Sequence, residues 1–212
     1  MRTMLHQKLK DLLETMSGKF DSSTPVVKET ESWKAYRIAE QLNDPKLFPD
    51  LLDCVRTNNP AHLRKFAAVV LGYLLQNTRD TLLAEQMVAL TAILDKDEAV
   101  LYETLTPLSE SGVSIACDPA PLIGYTTDDR ELIRNSAIRA LGNCQPYTRS
   151  VVEALQNVVK YFYDEYDLKY AVHVLVKLEA METIPDLEKL IADTDNSAIR
   201  EIAVNGVKKL IR

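Results

Sequence analysis

Apolar positions recur every three to four residues through almost the whole chain, the spacing of one face of an α-helix. Met4, Leu5, Leu9, Leu12, Leu13 and Met16 form such a face before any other element begins. No stretch alternates apolar and polar residues for long enough to make a strand. Val26-Val27 is too short, and Val151-Val152 runs on into a helical pattern. The pattern predicts an all-α protein. It places helix pairs at about 3–16 with 31–43, 46–56 with 60–76, 80–94 with 97–109, 118–126 with 130–144, 147–163 with 166–179, and 183–193 with 196–211. Residues 17–30 read as a long polar loop, and 110–121 as an irregular break in the middle.

The pattern also repeats. Asn59-x4-Arg64-x2-Ala67-x3-Leu71-Gly72 lines up with Asp129-x4-Arg134-x2-Ala137-x3-Leu141-Gly142 and with Asp195-x4-Arg200-x2-Ala203-x3-Val207. Pro49, Pro119 and Pro185 each lie 18 residues before the small residue of their unit. Weaker copies fill the gaps. A small or apolar anchor and the positions four and seven later read Ala35/Ala39/Leu42, Ala67/Leu71/Leu74, Leu101/Leu105/Leu108, Ala137/Leu141/Cys144, Ala171/Leu175/Leu178 and Ala203/Val207/Leu210. Anchor spacings are 32, 34, 36, 34 and 32 residues, enough for two short helices and two turns per unit. One such pair cannot bury its apolar face alone, but a stack of about six can share one core. The expected architecture is an α-solenoid over 1–212, with an N-terminal helix and polar loop at 1–31 and repeats over 32–212.

This repeat resembles the HEAT-repeat family, including the HEAT-like repeats associated with phycobilin lyases. The resemblance covers roughly 32–212 and is strongest at 46–76, 118–144 and 183–212. The W-x2-LG-x2-Y signature of tetratricopeptide repeats is absent. The resemblance implies that Arg64, Arg134 and Arg200 reach an Asp in the neighbouring unit and form a structural ladder. The third unit departs from the motif, with Glu98 in place of the Arg and Pro107 late in its second helix; the fifth has Leu168 at the Arg position. The other motif residues have local roles. Pro near the start of a first helix has no N–H to leave unpaired, and Asp or Asn before a second helix can cap its free amides.

Candidate chemistry is sparse. The sequence holds no phosphate loop, GxGxxG, HExxH or GxSxG. His6, His62 and His173 do not sit three or four residues from one another or from a Cys, so no metal and no cofactor is implied. Cys54 and Cys144 fall at core phases, whereas Cys117 lies in the middle break; none has a sequence partner that would activate a thiolate. Asp128-Asp129 and Asp164-Glu165 resemble an acid/base pair but fall where helix N-termini favour carboxylates. Tyr161, Phe162, Tyr163, Tyr166 and Tyr170 read as core and edge packing.

Charge adds one constraint. The 212 residues carry 25 Lys and Arg against 31 Asp and Glu, a net −6, which disfavours a nucleic-acid binder. No apolar run approaches the ~20 residues of a membrane span, and residues 1–10 lack a signal-peptide apolar core. The three Cys are scattered and odd in number, which fits a reducing compartment, so the expected location is cytoplasmic.

Positions two before, two after and five or six after each anchor share a face distinct from the core face. They read Trp33/Arg37/Gln41, Lys65/Val69/Tyr73, Ala99/Glu103, Asn135/Arg139/Asn143, Lys169/His173/Lys177 and Glu201/Asn205/Lys209. Six cations stand there against two acids, in an acidic chain. The sequence therefore points to a non-catalytic interaction scaffold that holds a protein or peptide of acidic character along a concave helical face. Trp33, Arg37, Lys65, Tyr73, Arg139, Lys169, His173 and Lys177 are the candidate contacts. Two alternatives stay open through the resemblance. One is a HEAT-like nucleic-acid binder or DNA glycosylase, although the strip carries no Asp. The other is a lyase or chaperone-like subunit for a tetrapyrrole-bearing protein.

Overall fold

A computed structural model describes residues 7, 9, 11–15, 31–57, 59–94, 97–146, 149–162 and 164–212. The expected loop at 17–30 and most of the expected helix at 3–16 lie outside these residues, although 11–15 are helical. The chain divides into two compact units, Met1–Val113 and Ser114–Arg212. The described residues are mainly helical, with neighbouring helices packed in order, an α-helical repeat of solenoid type. One isolated β-bridge joins Ile115 to Cys144.

In the first unit the helices are α1 (Glu31–Ala39), α2 (Phe48–Arg56), α3 (Ala61–Thr78), α4 (Thr81–Thr91) and α5 (Glu98–Glu110). α2 pairs with α3 and α4 with α5; α2 also packs on α4, and α1 and α5 both pack on α3. First helices thus stack on first helices, and second on second. The second unit follows the same plan with α6 (Ala120–Gly124), α7 (Glu131–Leu141), α8 (Arg149–Tyr161), α9 (Glu165–Lys177), α10 (Ile184–Asp193) and α11 (Ser197–Leu210). Here α7 packs on α9 and α9 on α11, while α8 packs on α10. Every anchor-phase residue named above is buried except Val207, which is half-buried.

Local chemistry sets the helix boundaries. Pro49 and Pro185 occupy the first turns of α2 and α10, where a missing N–H leaves nothing unpaired. Asp80, Asp97, Asp164 and Asn196 cap α4, α5, α9 and α11 through their side chains; Asp164 Oδ1 accepts from Tyr166 N at 2.8 Å and Asp167 N at 3.0 Å. The capping expected of Asn59, Asp129 and Asp195 is corrected. Pro60 and Arg130 stand at the caps of α3 and α7 but do not cap them through a side chain, and Asn196 takes the role from Asp195. The Asn59 side chain instead donates to Cys54 O at 3.1 Å, closing the turn between α2 and α3.

Several expected helices are shorter than periodicity alone predicts: α1 ends at Ala39 rather than 43 and α4 at Thr91 rather than 94. α6 is a single turn continued by a 3-10 turn at Tyr125–Thr127. α7 stops at Leu141 because Asn143 O accepts from Ile115 N at 2.8 Å and Gln145 N donates to Ile115 O at 2.9 Å, which draws this backbone out of the helix.

Two of the repeated arginines bridge successive repeats within a unit. Arg64 Nη1 donates to Asp97 at 2.9 Å, and Arg134 Nε to Asp167 at 2.7 Å; both acceptors lie 33 residues on. Arg134 also reaches Asp164 at 3.1 Å. Each arginine additionally satisfies backbone carbonyls near the end of its own first helix: Arg64 on Val55, Arg134 on Asp128, and Arg200 on Ile191 and Thr194. Arg200 is thus corrected from an inter-unit ladder residue to a residue bonded to these carbonyls. Asn77 does similar work between α3 and α1, donating to Glu40 O at 2.9 Å and Leu42 O at 2.8 Å.

Candidate functional site

In the first unit the second helices α1, α3 and α5 bring three of the four expected contact residues onto acids. The Arg37 guanidinium lies over the Trp33 ring, 5.8 Å from its centroid, and pairs with Glu40. Tyr73 Oη donates to the same Glu40 at 3.5 Å. Lys65 Nζ pairs with Glu103 at 3.4 Å. Beneath them Tyr36 packs edge-on against buried Phe66, with ring centroids 4.9 Å apart. Burial first, then the Glu103 carboxylate and Tyr73, push the Tyr36 phenol above its ordinary value. Tyr73 is raised likewise, by burial and then by the charge of Glu40 and the bond to it. Both phenols therefore stay protonated, and Tyr73 remains a donor. This face combines aromatic rings with cations already matched by acids. The excess of positive charge read from phase alone is corrected here, because Glu40, five after its anchor, also reaches the face.

The second unit differs. Arg139 on α7 lies over the Tyr170 ring of α9, 5.5 Å from its centroid. Lys177 Nζ donates to Asn143 Oδ1 at 2.8 Å, which joins neighbouring repeats of this unit. Lys169, His173 and Lys177 on α9, with Lys209 on α11, are exposed. Among the described residues no carboxylate pairs with Lys169, Lys177 or Lys209. Glu201 is the acid of this face and is also exposed. Asn135 Oδ1 is buried without a donor.

The structure thus groups Trp33, Arg37, Lys65 and Tyr73 with Glu40 and Glu103 in one unit, and Arg139, Lys169, His173 and Lys177 on stacked helices of the other. Glu40, Tyr170 and Tyr36 were missed. Glu40 carried a legible signal, since the fifth position past the anchor belongs to the face. Tyr170, one before its anchor, lies off the chosen phases and is reached only because Arg139 leans towards the neighbouring repeat.

The acidic pairs have structural explanations. Asp164 caps α9, and Asp128 makes a two-pronged contact with Arg130 at 2.8 Å for each prong. The Arg130 hydrogen bond chiefly lowers the Asp128 carboxyl, against a smaller opposing effect of burial. Burial drives the Cys144 thiol up to about 12 and also raises Cys54, so neither supplies a thiolate near neutrality. Cys117 is half-buried. Tyr161 and Tyr166 flank the turn between α8 and α9 and are exposed, at 77% and 51%, which corrects their assignment to packing. Among the described residues no group of His, Cys, Asp and Glu is arranged to hold a metal ion. Among the same residues no helix is long and apolar enough to cross a membrane.

No family model matches this chain. No curated protein sequence matches it. Solved structures do: the crystal structure of an engineered protein from the Northeast Structural Genomics Consortium is similar over 96% of this chain and 96% of its own, with a TM-score of 0.59 and 16% identity. At that identity the likeness bears on the fold alone.

Proposed function

We propose that this is a HEAT-type interaction scaffold, cytoplasmic and without catalysis of its own, that holds a partner protein or peptide of acidic character on the faces of its second helices. The observation carrying this reading is the set of lysines on α9 and α11 without a carboxylate partner among the described residues, in a chain of net charge −6. A charge excess of that sign attracts an acidic surface and speeds its encounter. Trp33, Tyr73 and the Arg139–Tyr170 stack supply the rigid aromatic and guanidinium area that anchors interfaces. Three cysteines outside any disulfide fit a reducing compartment.

The test is affinity capture of a partner followed by kinetics with the purified pair. Alanine at Arg37, Arg139 and Lys169 together is expected to slow association about tenfold at low salt and to flatten its salt dependence. A partner that binds this variant with unchanged association rate and salt dependence contradicts the reading.

A further inference from the structure

The two units carry different charge on equivalent faces. In the first, Arg37 and Lys65 are each paired with an acid. A carboxylate arriving there gains nothing until it displaces Glu40 or Glu103. In the second, Lys169, Lys177 and Lys209 have no such competitor among the described residues. Arg139 is held on Tyr170, and Lys177 is held by Asn143, a neutral group that leaves its charge uncancelled.

Geometry arranges these charges into a row. Lys177 and Lys209 both stand six residues after their anchors, Ala171 and Ala203. Their helices pack directly on each other. The bond from Lys177 to Asn143, two residues past the end of α7, ties α9 to the neighbouring repeat. Packed helices lie about 8–10 Å apart, so Lys177 and Lys209 project from backbones separated by about that distance. Along α9 the spacing is different: Lys169, His173 and Lys177 follow every four residues, or about 6 Å.

We infer that the row across α9 and α11 in the Ser114–Arg212 unit binds an extended acidic segment of a partner, with carboxylates three residues apart seated on Lys177 and Lys209. A polyproline-II chain rises about 3.1 Å per residue and turns every three, so every third side chain returns to the same side after about 9 Å. That step matches the helix-to-helix spacing. A helical partner repeats its nearest same-face carboxylates at about 5–6 Å and cannot serve both lysines with adjacent turns. Such a segment is unfolded and solvated before binding, and charge supplies the early attraction. The inference rests on the interaction-scaffold reading and adds the partner's chemistry, conformation and place.

Fluorescence anisotropy with synthetic peptides tests it. One peptide repeats Glu-Pro-Ala; a second has the same composition with its glutamates contiguous; a third probe is a single-stranded oligothymidylate of similar charge. The first is expected to bind wild type at least threefold more tightly than the second, and more tightly than the oligonucleotide. The exposed substitutions Lys177→Glu with Lys209→Glu are expected to weaken it tenfold or more at low salt. Arg37→Ala with Lys65→Ala should leave it within twofold. Circular dichroism melting of each variant verifies that it is folded. Equal binding by the reversed-charge variant overturns the inference, as does preference for contiguous glutamates. Tighter binding of the oligonucleotide overturns it in favour of nucleic acid. If no peptide binds while a purified partner protein binds and loses association rate when Arg37, Arg139 and Lys169 become alanine, the inference fails and the scaffold reading stands.

Discussion

Asp167→Ala is expected to destabilise the Ser114–Arg212 unit by about 3–5 kcal/mol, because it leaves a guanidinium buried without its counter-charge. Asp167 is fully buried, and Arg134 is 4% exposed. Both carboxylate oxygens accept from Arg134 Nε, at 2.9 and 2.7 Å. Asp164 also touches the guanidinium but is one-third exposed, and its other oxygen caps α9, so it cannot substitute. Desolvation is the largest influence on Arg134, and the two carboxylates outweigh it to keep the group charged. Arg134→Met together with Asp167→Leu is expected to recover much of the loss, since an apolar pair of similar volume avoids desolvating either ion. The equivalent contact in the first unit is the control. Arg64 and Asp97 are 21% and 22% exposed. Asp97→Asn, which preserves a capping side chain, should cost under about 1 kcal/mol. Urea titration followed by circular dichroism measures all three. Equal losses at the two contacts would mean that burial does not set their strength.

The second large effect is expected at Gly72. A Cβ there would stand 2.5 Å from Pro107 Cγ, closer than any real contact. Both residues are buried where α3 meets α5, and Pro107 interrupts the hydrogen-bonding of α5 from within. Gly72→Ala should therefore cost about 1–3 kcal/mol by overpacking, despite the better helix propensity of alanine. Pro107→Ala removes the ring that the added methyl group would strike. The double variant should be more stable than Gly72→Ala alone, by thermal melting. If Pro107→Ala gives no relief, the close approach of α3 and α5 is not what selects glycine.

This contact also bears on what the sequence could disclose. Pro107 looked like a departure from the repeat because a single helix read alone has no place for it. Its accommodation depends on a glycine 35 positions earlier on another helix. The repeat itself was legible because anchor, fourth and seventh positions report burial directly, and those positions are buried in six successive repeats apart from Val207. The acids that meet the arginines were half legible. Asp97 and Asp167 stand 33 residues after Arg64 and Arg134, in the two repeats that depart from the arginine motif. The repeats therefore alternate donor and acceptor rather than copy one ladder. Charge on the site was the least legible part. Phase places a residue on a face but does not say what it meets: Glu40 and Tyr170 change the electrostatics of Arg37 and Arg139, and Tyr170 does so through the packing of one helix on another. The shortened α7 has a similar origin, since its last turn is lost to a bridge with Ile115, far away in sequence.

The alignment of equal phases on the stacked helices α9 and α11 underlies the docking surface. Spin labels at positions 177 and 209, in a background with Cys54, Cys117 and Cys144 replaced by alanine, test it most directly. Neighbouring helix axes about 8–10 Å apart should bring the labels close enough for strong dipolar broadening in continuous-wave EPR, relative to the sum of the two singly labelled spectra. A doubly labelled spectrum that matches that sum would contradict the alignment and, with it, the row of charges on which the docking surface rests.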